Sequence, residues 1–159
     1  RLQFCAVGGH VRREDRSLFD VCHGFLTGSN YVRCLQETDL FIFTSFYEGF
    51  PAAPLEAMAC GAAVVTTQVA GVEEYARHGE NCMVAAPGDV EGLVTHANTL
   101  LRDARLRDSV RERGLATARE YSWDVAAGRL VGFLEPLEVP APSGTGERLP
   151  ALQAGVHVG

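Results

Sequence analysis

Two glutamates, Glu48 and Glu56, stand eight residues apart on either side of the segment Gly49-Phe50-Pro51-Ala52-Ala53-Pro54-Leu55. Pro51 and Pro54 mark a helix start, since proline is tolerated in a first turn whose N–H groups lack an intrahelical partner. The free amides of that turn point back into the preceding loop, and amides so arranged hold anions such as phosphate. Gly49 lets the backbone approach a ligand closely. The amides of Gly49, Phe50, Ala52 and Ala53 are therefore candidate phosphate donors, with a carboxylate on each side of them. Thr44 and Ser45 add small hydroxyls just before the turn. On spacing alone two such glutamates describe a solvated surface; the strand–loop–proline–helix setting makes them candidates for chemistry.

The elements that must position these groups can be read on either side. Leu40–Phe43 is a compact apolar run, as in a strand covered on both faces. Thr44–Gly49 breaks it, Leu55–Ala59 are helix formers, Gly61 supplies a stop, and Ala63–Thr66 begins another strand. Leu2–Val7, ended by Gly8-Gly9, reads as a first buried strand, and Phe25-Leu26, introduced by Gly24, as a second. Arg12–Asp20 reads as a short surface helix, Tyr31–Glu37 as a helix with Tyr31, Val32 and Leu35 apolar, Val72–Ala76 as one or two helical turns, and Cys82–Ala85 as a last strand. Asp89 after Pro87-Gly88 is an N-cap for a helix ending near Arg102, with Leu93, Val94, Ala97 and Leu100-Leu101 as its buried stripe. Asp103–Glu120 follows, with Leu106, Val110, Leu115 and Ala118 inward, and then Trp123–Leu137, capped by Ser122. Strands alternating with helices predict an α/β fold: a Rossmann-like parallel sheet flanked by helices, which binds ligands beyond the carboxyl ends of its strands. Residues 1–137 read as one domain and the Pro/Gly-rich 138–159 as a disordered tail.

The 159 residues suffice for one domain with a sizeable core. The net charge of −6, with both signs interspersed, gives no footprint for nucleic acid. No apolar run has the roughly 18–20 residues needed to span a bilayer. The five cysteines, Cys5, Cys22, Cys34, Cys60 and Cys82, are odd in number and lack zinc spacing. They read as buried thiols of a reducing compartment, which predicts a cytoplasmic location, or a membrane-peripheral one within a longer protein. The histidines, His10, His23, His78, His96 and His157, are scattered and predict neither a metal ligand nor a base; His10 and His23 are the two nearest to a cleft. No metal and no cofactor is expected. Gly-x-Ser-x-Gly, His-Glu-x-x-His and the phosphate-binding Gly-x-x-x-x-Gly-Lys patterns are missing. The opening in an apolar run without an initiator methionine predicts a fragment or a processed chain.

Glu48-Gly-Phe-Pro followed by Leu55-Glu56-Ala57-Met58-Ala59-Cys60-Gly61, a strand, and Gly71-Val72-Glu73-Glu74 resembles the signature of retaining glycosyltransferases of the two-Rossmann (GT-B) fold, in particular glycosyltransferase family 4 (glycosyl transferases group 1). The resemblance covers residues 2–137 and implies the C-terminal, donor-binding half of such an enzyme, incomplete at its N-terminus. It implies transfer of a hexose-type sugar from a nucleotide sugar, with retention of configuration, by front-face attack assisted by the donor phosphate. Glu48 would contact the transferred sugar as the catalytic-site residue. The Gly49–Ala53 turn would face the diphosphate. Glu56 would accept from both hydroxyls of the ribose, as an ionised carboxylate can. Gly24-Phe25 resembles the family's loop beside the nucleobase. The sugar, glycan or lipid acceptor would bind an N-terminal domain absent from this chain, so the chain is expected to be inactive alone. The family's arginine and lysine at the diphosphate, suited to a leaving group's growing charge, would precede Leu2; the chain has no lysine, and neither Arg12 nor Arg13 matches them. Pro51 removes one amide where many relatives have glycine. The missing cations leave open a second class, a non-catalytic nucleotide-binding or interaction module derived from such an enzyme. A third, a generic α/β sugar-phosphate enzyme, would need a basic cluster that the sequence does not show.

Overall fold

Ala63–Thr67 (β4) is the strand around which the rest is assembled, and all five of its residues are buried. Its side chains alternate between two cores, as the period of two in a strand requires. Val64 joins Leu35, Leu55, Ala57, Met58, Val72, Tyr75 and Cys82 on one face. Ala63 and Val65 join Met83, Ala85, Leu93, Ala97, Leu100 and Val110 on the other. Full burial of a valine contributes about 1.5–3 kcal/mol, so this strand anchors both layers.

The computed structural model describes residues 2–8 and 11–136. Among them the order is β1 (Cys5–Val7), a 3₁₀ turn at Arg16–Leu18, β2 (Val21–Gly24), α1 (Gly28–Gln36), β3 (Leu40–Ile42), α2 (Ala52–Ala59), β4, a second 3₁₀ turn at Val72–Glu74, β5 (Met83–Ala85), α3 (Val90–Arg102), α4 (Ala104–Glu120) and α5 (Trp123–Leu134). β3, β4 and β5 form one parallel sheet in that order, with Leu40 opposite Ala63 and Val65 opposite Met83. β1 and β2 form a separate parallel pair, with a register shift between Ala6 and Val7. The α/β class with parallel strands flanked by helices is as the sequence predicts. The chain divides into two compact units between Trp123 and Asp124. In the second unit the described residues form most of α5, which buries none of its side chains.

Helix boundaries follow local chemistry. Cys60 closes α2, and Gly61 takes a left-handed φ of 86° that turns the chain into β4. The Asp89 side chain accepts from Gly92 N at 2.8 Å, and Asp103 accepts from Leu106 N at 3.0 Å, each capping a helix. α4 packs on α2 and β4, and Gly114 sits at a tight contact: a Cβ there would stand 3.1 Å from Asn81 O and 3.2 Å from Met58 Cγ of α2. That proximity explains a glycine in mid-helix, where it costs about 1 kcal/mol relative to alanine.

Several expectations are corrected. The first strand covers Cys5–Val7 instead of Leu2–Val7 and is largely exposed, as is Phe4 before it at 53%; among the described residues its hydrogen-bonded strand neighbour is β2. The second strand lies at Val21–Gly24, before Phe25-Leu26, and Phe25 is 80% exposed. Arg12–Asp20 holds only a 3₁₀ turn. β3 is half-covered instead of covered on both faces, and Ile42 is exposed. Val94 faces outward from α3. Cys5 is exposed and only Cys82 is fully buried. Gly9, His10, Leu137, the stretch 138–159 and His157 lie outside the described residues.

Candidate functional site

The loop after β3 carries the candidate residues, and the end of β4 and the segment after it hold that loop. Phe43 N donates to Val65 O at 2.9 Å, so pairing runs one residue past β3 before the chain turns. Thr67 Oγ1 at the end of β4 donates to Ser45 O at 2.6 Å. Farther along, Tyr75 is buried and its hydroxyl donates to Pro51 O at 2.9 Å. Between them, Gly71 at φ 80° lies against the loop so closely that an added Cβ would overlap Gly49 O and stand 2.8 Å from Phe50 Cα. Phe50, Tyr75 and Tyr121 form an aromatic cluster with ring centroids 5.8–6.4 Å apart, in which Tyr75 meets each of the other two edge-to-face, and Tyr121 donates to Glu74 O at 2.6 Å.

The loop side chains are organised among themselves. Ser45 Oγ donates to Glu48 Oε1 at 2.7 Å, with Tyr47 O at 3.2 Å as a weaker second acceptor. Glu48 is half-buried, while Thr44, Gly49 and Phe50 are exposed. Pro51 is the N-cap of α2, in extended backbone, and no side chain caps the helix. Of the four leading positions Pro51, Ala52, Ala53 and Pro54, both prolines lack an N–H, so the orphan donors of α2 are the amides of Ala52 and Ala53. Ala52 is exposed and Ala53 half-buried.

Glu56 stands on the next turn of α2 and is exposed. Its Oε2 accepts from Tyr31 Oη, reaching across from α1, at 3.0 Å. Burial, then the hydrogen bond to Glu56 and that carboxylate's charge, push the Tyr31 phenol up to about 12. Tyr31 therefore stays a protonated donor throughout the neutral range. The structure thus brings Thr44, Ser45, Glu48, Gly49, Phe50, Ala52, Ala53 and Glu56 together at the carboxyl end of β3. Gly24 ends a strand of the other sheet and Phe25 follows it, and no hydrogen bond or ring contact among the described residues joins them to the loop. The sequence reading missed Tyr31, Thr67 and Tyr75. Tyr31 counted there only as an apolar helix position, and its polar tip became legible through contact with a residue 25 positions away. Elsewhere, His78 Nδ1 accepts from Val84 N at 3.0 Å. Among the described residues no cluster of three His, Cys, Asp or Glu could hold a metal ion.

Comparison with known proteins adds an independent line. A family model described as Glycosyl transferases group 1 matches residues 21–117. The chain is 40% identical over 84 residues to the O-antigen chain mannosyltransferase B of Escherichia coli, covering 53% of this chain and 22% of that protein. It is 32% identical over 121 residues to the N-acetyl-alpha-D-glucosaminyl L-malate synthase of Bacillus anthracis, covering 74% of this chain and 30% of the relative. The chain thus spans less than a third of the length of either. Among solved structures, Anabaena HepE in complex with UDP superposes with a TM-score of 0.69 at 23% identity, over 84% of this chain and 40% of the other.

Proposed function

The chain belongs to the glycosyl transferases group 1 family and has the Rossmann-like α/β fold of one half of a GT-B enzyme, and we propose that it carries the donor-binding site of a retaining hexosyltransferase. One observation carries this reading: the uncapped start of α2, at the carboxyl end of β3, lies between two carboxylates, each oriented by a neighbouring hydroxyl. The amides of Gly49, Phe50, Ala52 and Ala53 bind the diphosphate, where the helix dipole adds about 0.3–1 kcal/mol per anionic group at an exposed site. Glu56 takes the ribose hydroxyls, and Glu48, held by Ser45, takes a hydroxyl of the transferred sugar. Gly24 and Phe25 stand as the candidate neighbours of the nucleobase. The donor is a nucleotide diphosphate hexose bound without a metal, and the acceptor is a sugar, glycan or lipid held by a further domain of a longer, cytoplasmic protein. No helix among the described residues is long and apolar enough to cross a membrane.

The test is calorimetric titration with UDP, GDP and ADP and their glucose and mannose derivatives. One nucleotide series should bind, and Glu56→Ala should weaken it by about 1.5–3 kcal/mol, the value of a hydrogen bond to a charged group. Binding of nucleotides with no gain from any attached sugar would point to a non-catalytic nucleotide module. No binding by the folded chain would overturn the donor-site reading.

A further inference from the structure

We propose that Tyr31 is a positioning residue for Glu56, and that through it α1 sets how strongly the site discriminates a ribose diol from a deoxygenated sugar. The inference rests on the donor-site reading above and adds a residue to it. Glu56 is exposed and sits on a helix surface, where a glutamate samples many rotamers, and ordering so flexible a side chain costs conformational entropy. A ligand that must order the carboxylate by itself loses affinity for it, whereas a carboxylate already oriented does not impose the loss. The Tyr31 hydroxyl supplies the orientation: it donates to Oε2 at 3.0 Å from a half-buried ring on a neighbouring helix.

The hydrogen-bond inventory of the carboxylate gives this arrangement a direction. A carboxylate has two oxygens and about four lone-pair sites. Tyr31 uses one on Oε2, and among the described residues no group donates to Oε1. The remaining sites accept the two hydroxyls of a cis-diol, and their direction is set by the bond that Tyr31 makes. The tyrosine has no acid–base duty, because its phenol is held protonated by burial and by the adjacent carboxylate. Leu35, on the same helix, is fully packed in the core with Leu55 of α2, so the bond spans two elements already fixed to each other.

The experiment compares wild type, Tyr31→Phe and Glu56→Gln in binding to whichever of UDP, GDP and ADP the wild type takes, and to its 2′,3′-dideoxy analogue. Phenylalanine keeps the ring and its packing and removes only the donor. Tyr31→Phe is expected to lower affinity for the ribonucleotide about three- to tenfold and leave the dideoxy analogue within about twofold, so that the ratio of the two affinities falls by the same three- to tenfold. A merely structural role for Tyr31 would weaken both ligands alike; an unchanged ratio overturns the inference while the donor-site reading stands. Glu56→Gln is expected to lower the ratio as well, and an unaltered ratio there would remove the ribose from Glu56 and Tyr31 together. A wild type that binds none of the three nucleotides overturns the donor-site reading and this inference with it.

Discussion

Replacing Gly71 with alanine tests whether the segment after β4 holds the candidate loop in place. Two costs add. The left-handed backbone at φ 80° disfavours any Cβ by about 1–2 kcal/mol. The new methyl also overlaps the backbone of Gly49 and Phe50, and backbone cannot step aside as a flexible side chain would. Overpacking of this kind costs about 1–3 kcal/mol. Part of the sum, about 0.4–1 kcal/mol, is offset because alanine restricts the unfolded chain. Gly61→Ala is the matched control: its φ of 86° is nearly the same, and a Cβ there meets nothing within 4 Å. The expected destabilisation is about 2–4 kcal/mol for Gly71→Ala and about 1 kcal/mol for Gly61→Ala, read from urea unfolding midpoints at constant m-value. Nucleotide affinity measured on the folded variants should fall about tenfold or more in Gly71→Ala, because the loop must shift, and stay level in Gly61→Ala. Equal losses of stability and equal affinities for the two variants would show that Gly71 does not constrain the loop.

Two further predictions concern the scaffold behind the loop. Asn81 is buried, accepts from Arg77 N at 2.7 Å, and donates to Tyr75 O at 2.8 Å and to Thr117 Oγ1 at 2.9 Å. Asn81→Ala leaves those groups without their partner and should cost about 2–4 kcal/mol in chemical denaturation; a loss below about 1 kcal/mol would contradict that assignment. Burial pushes the Cys82 thiol up to about 11, against an ordinary value of 9.0. A thiol whose folded pKa is raised contributes stability that is whole below about pH 9 and is lost as pH rises through about 11. The amount is roughly 2–3 kcal/mol at 1.36 kcal/mol per unit. Cys82→Ala should flatten that alkaline decline in unfolding midpoint, and a profile parallel to wild type would refute the linkage.

What the sequence made legible was local chemistry. Pro51, Gly61 and the run Ala63–Thr66 marked α2 and β4 because proline, glycine and β-branched residues act on their own backbone; Asp89 and Asp103 marked helix starts in the same way. Burial was less legible, because it depends on what packs opposite. Leu2–Val7 is as apolar as an interior strand, yet among the described residues β1 pairs with β2 alone and stays largely exposed. Val21-Cys22-His23-Gly24 has a weaker strand pattern than the more apolar Phe25-Leu26, yet parallel pairing with β1 makes it the strand. At the candidate site, the strand–loop–proline–helix setting, more than the glutamate spacing, singled out Glu48, Glu56 and the first amides of α2 as candidates. Tyr31, Thr67 and Tyr75 were not, since each acts through a contact with a residue 22 to 25 positions away.

The three-point attachment of the loop, Thr67 at Ser45, Gly71 at Gly49 and Phe50, and Tyr75 at Pro51, has an evolutionary corollary. Every one of these attachments is made to loop backbone. Much of the loop's course is therefore encoded outside the loop, in residues 67–75, and a loop side chain that takes no part in these contacts or in the Phe50 ring cluster is released from structural duty. Tyr47, 86% exposed, is free to change identity while the amides and carboxylates around it keep their places. A descendant could revise what the loop touches without relearning how to fold it.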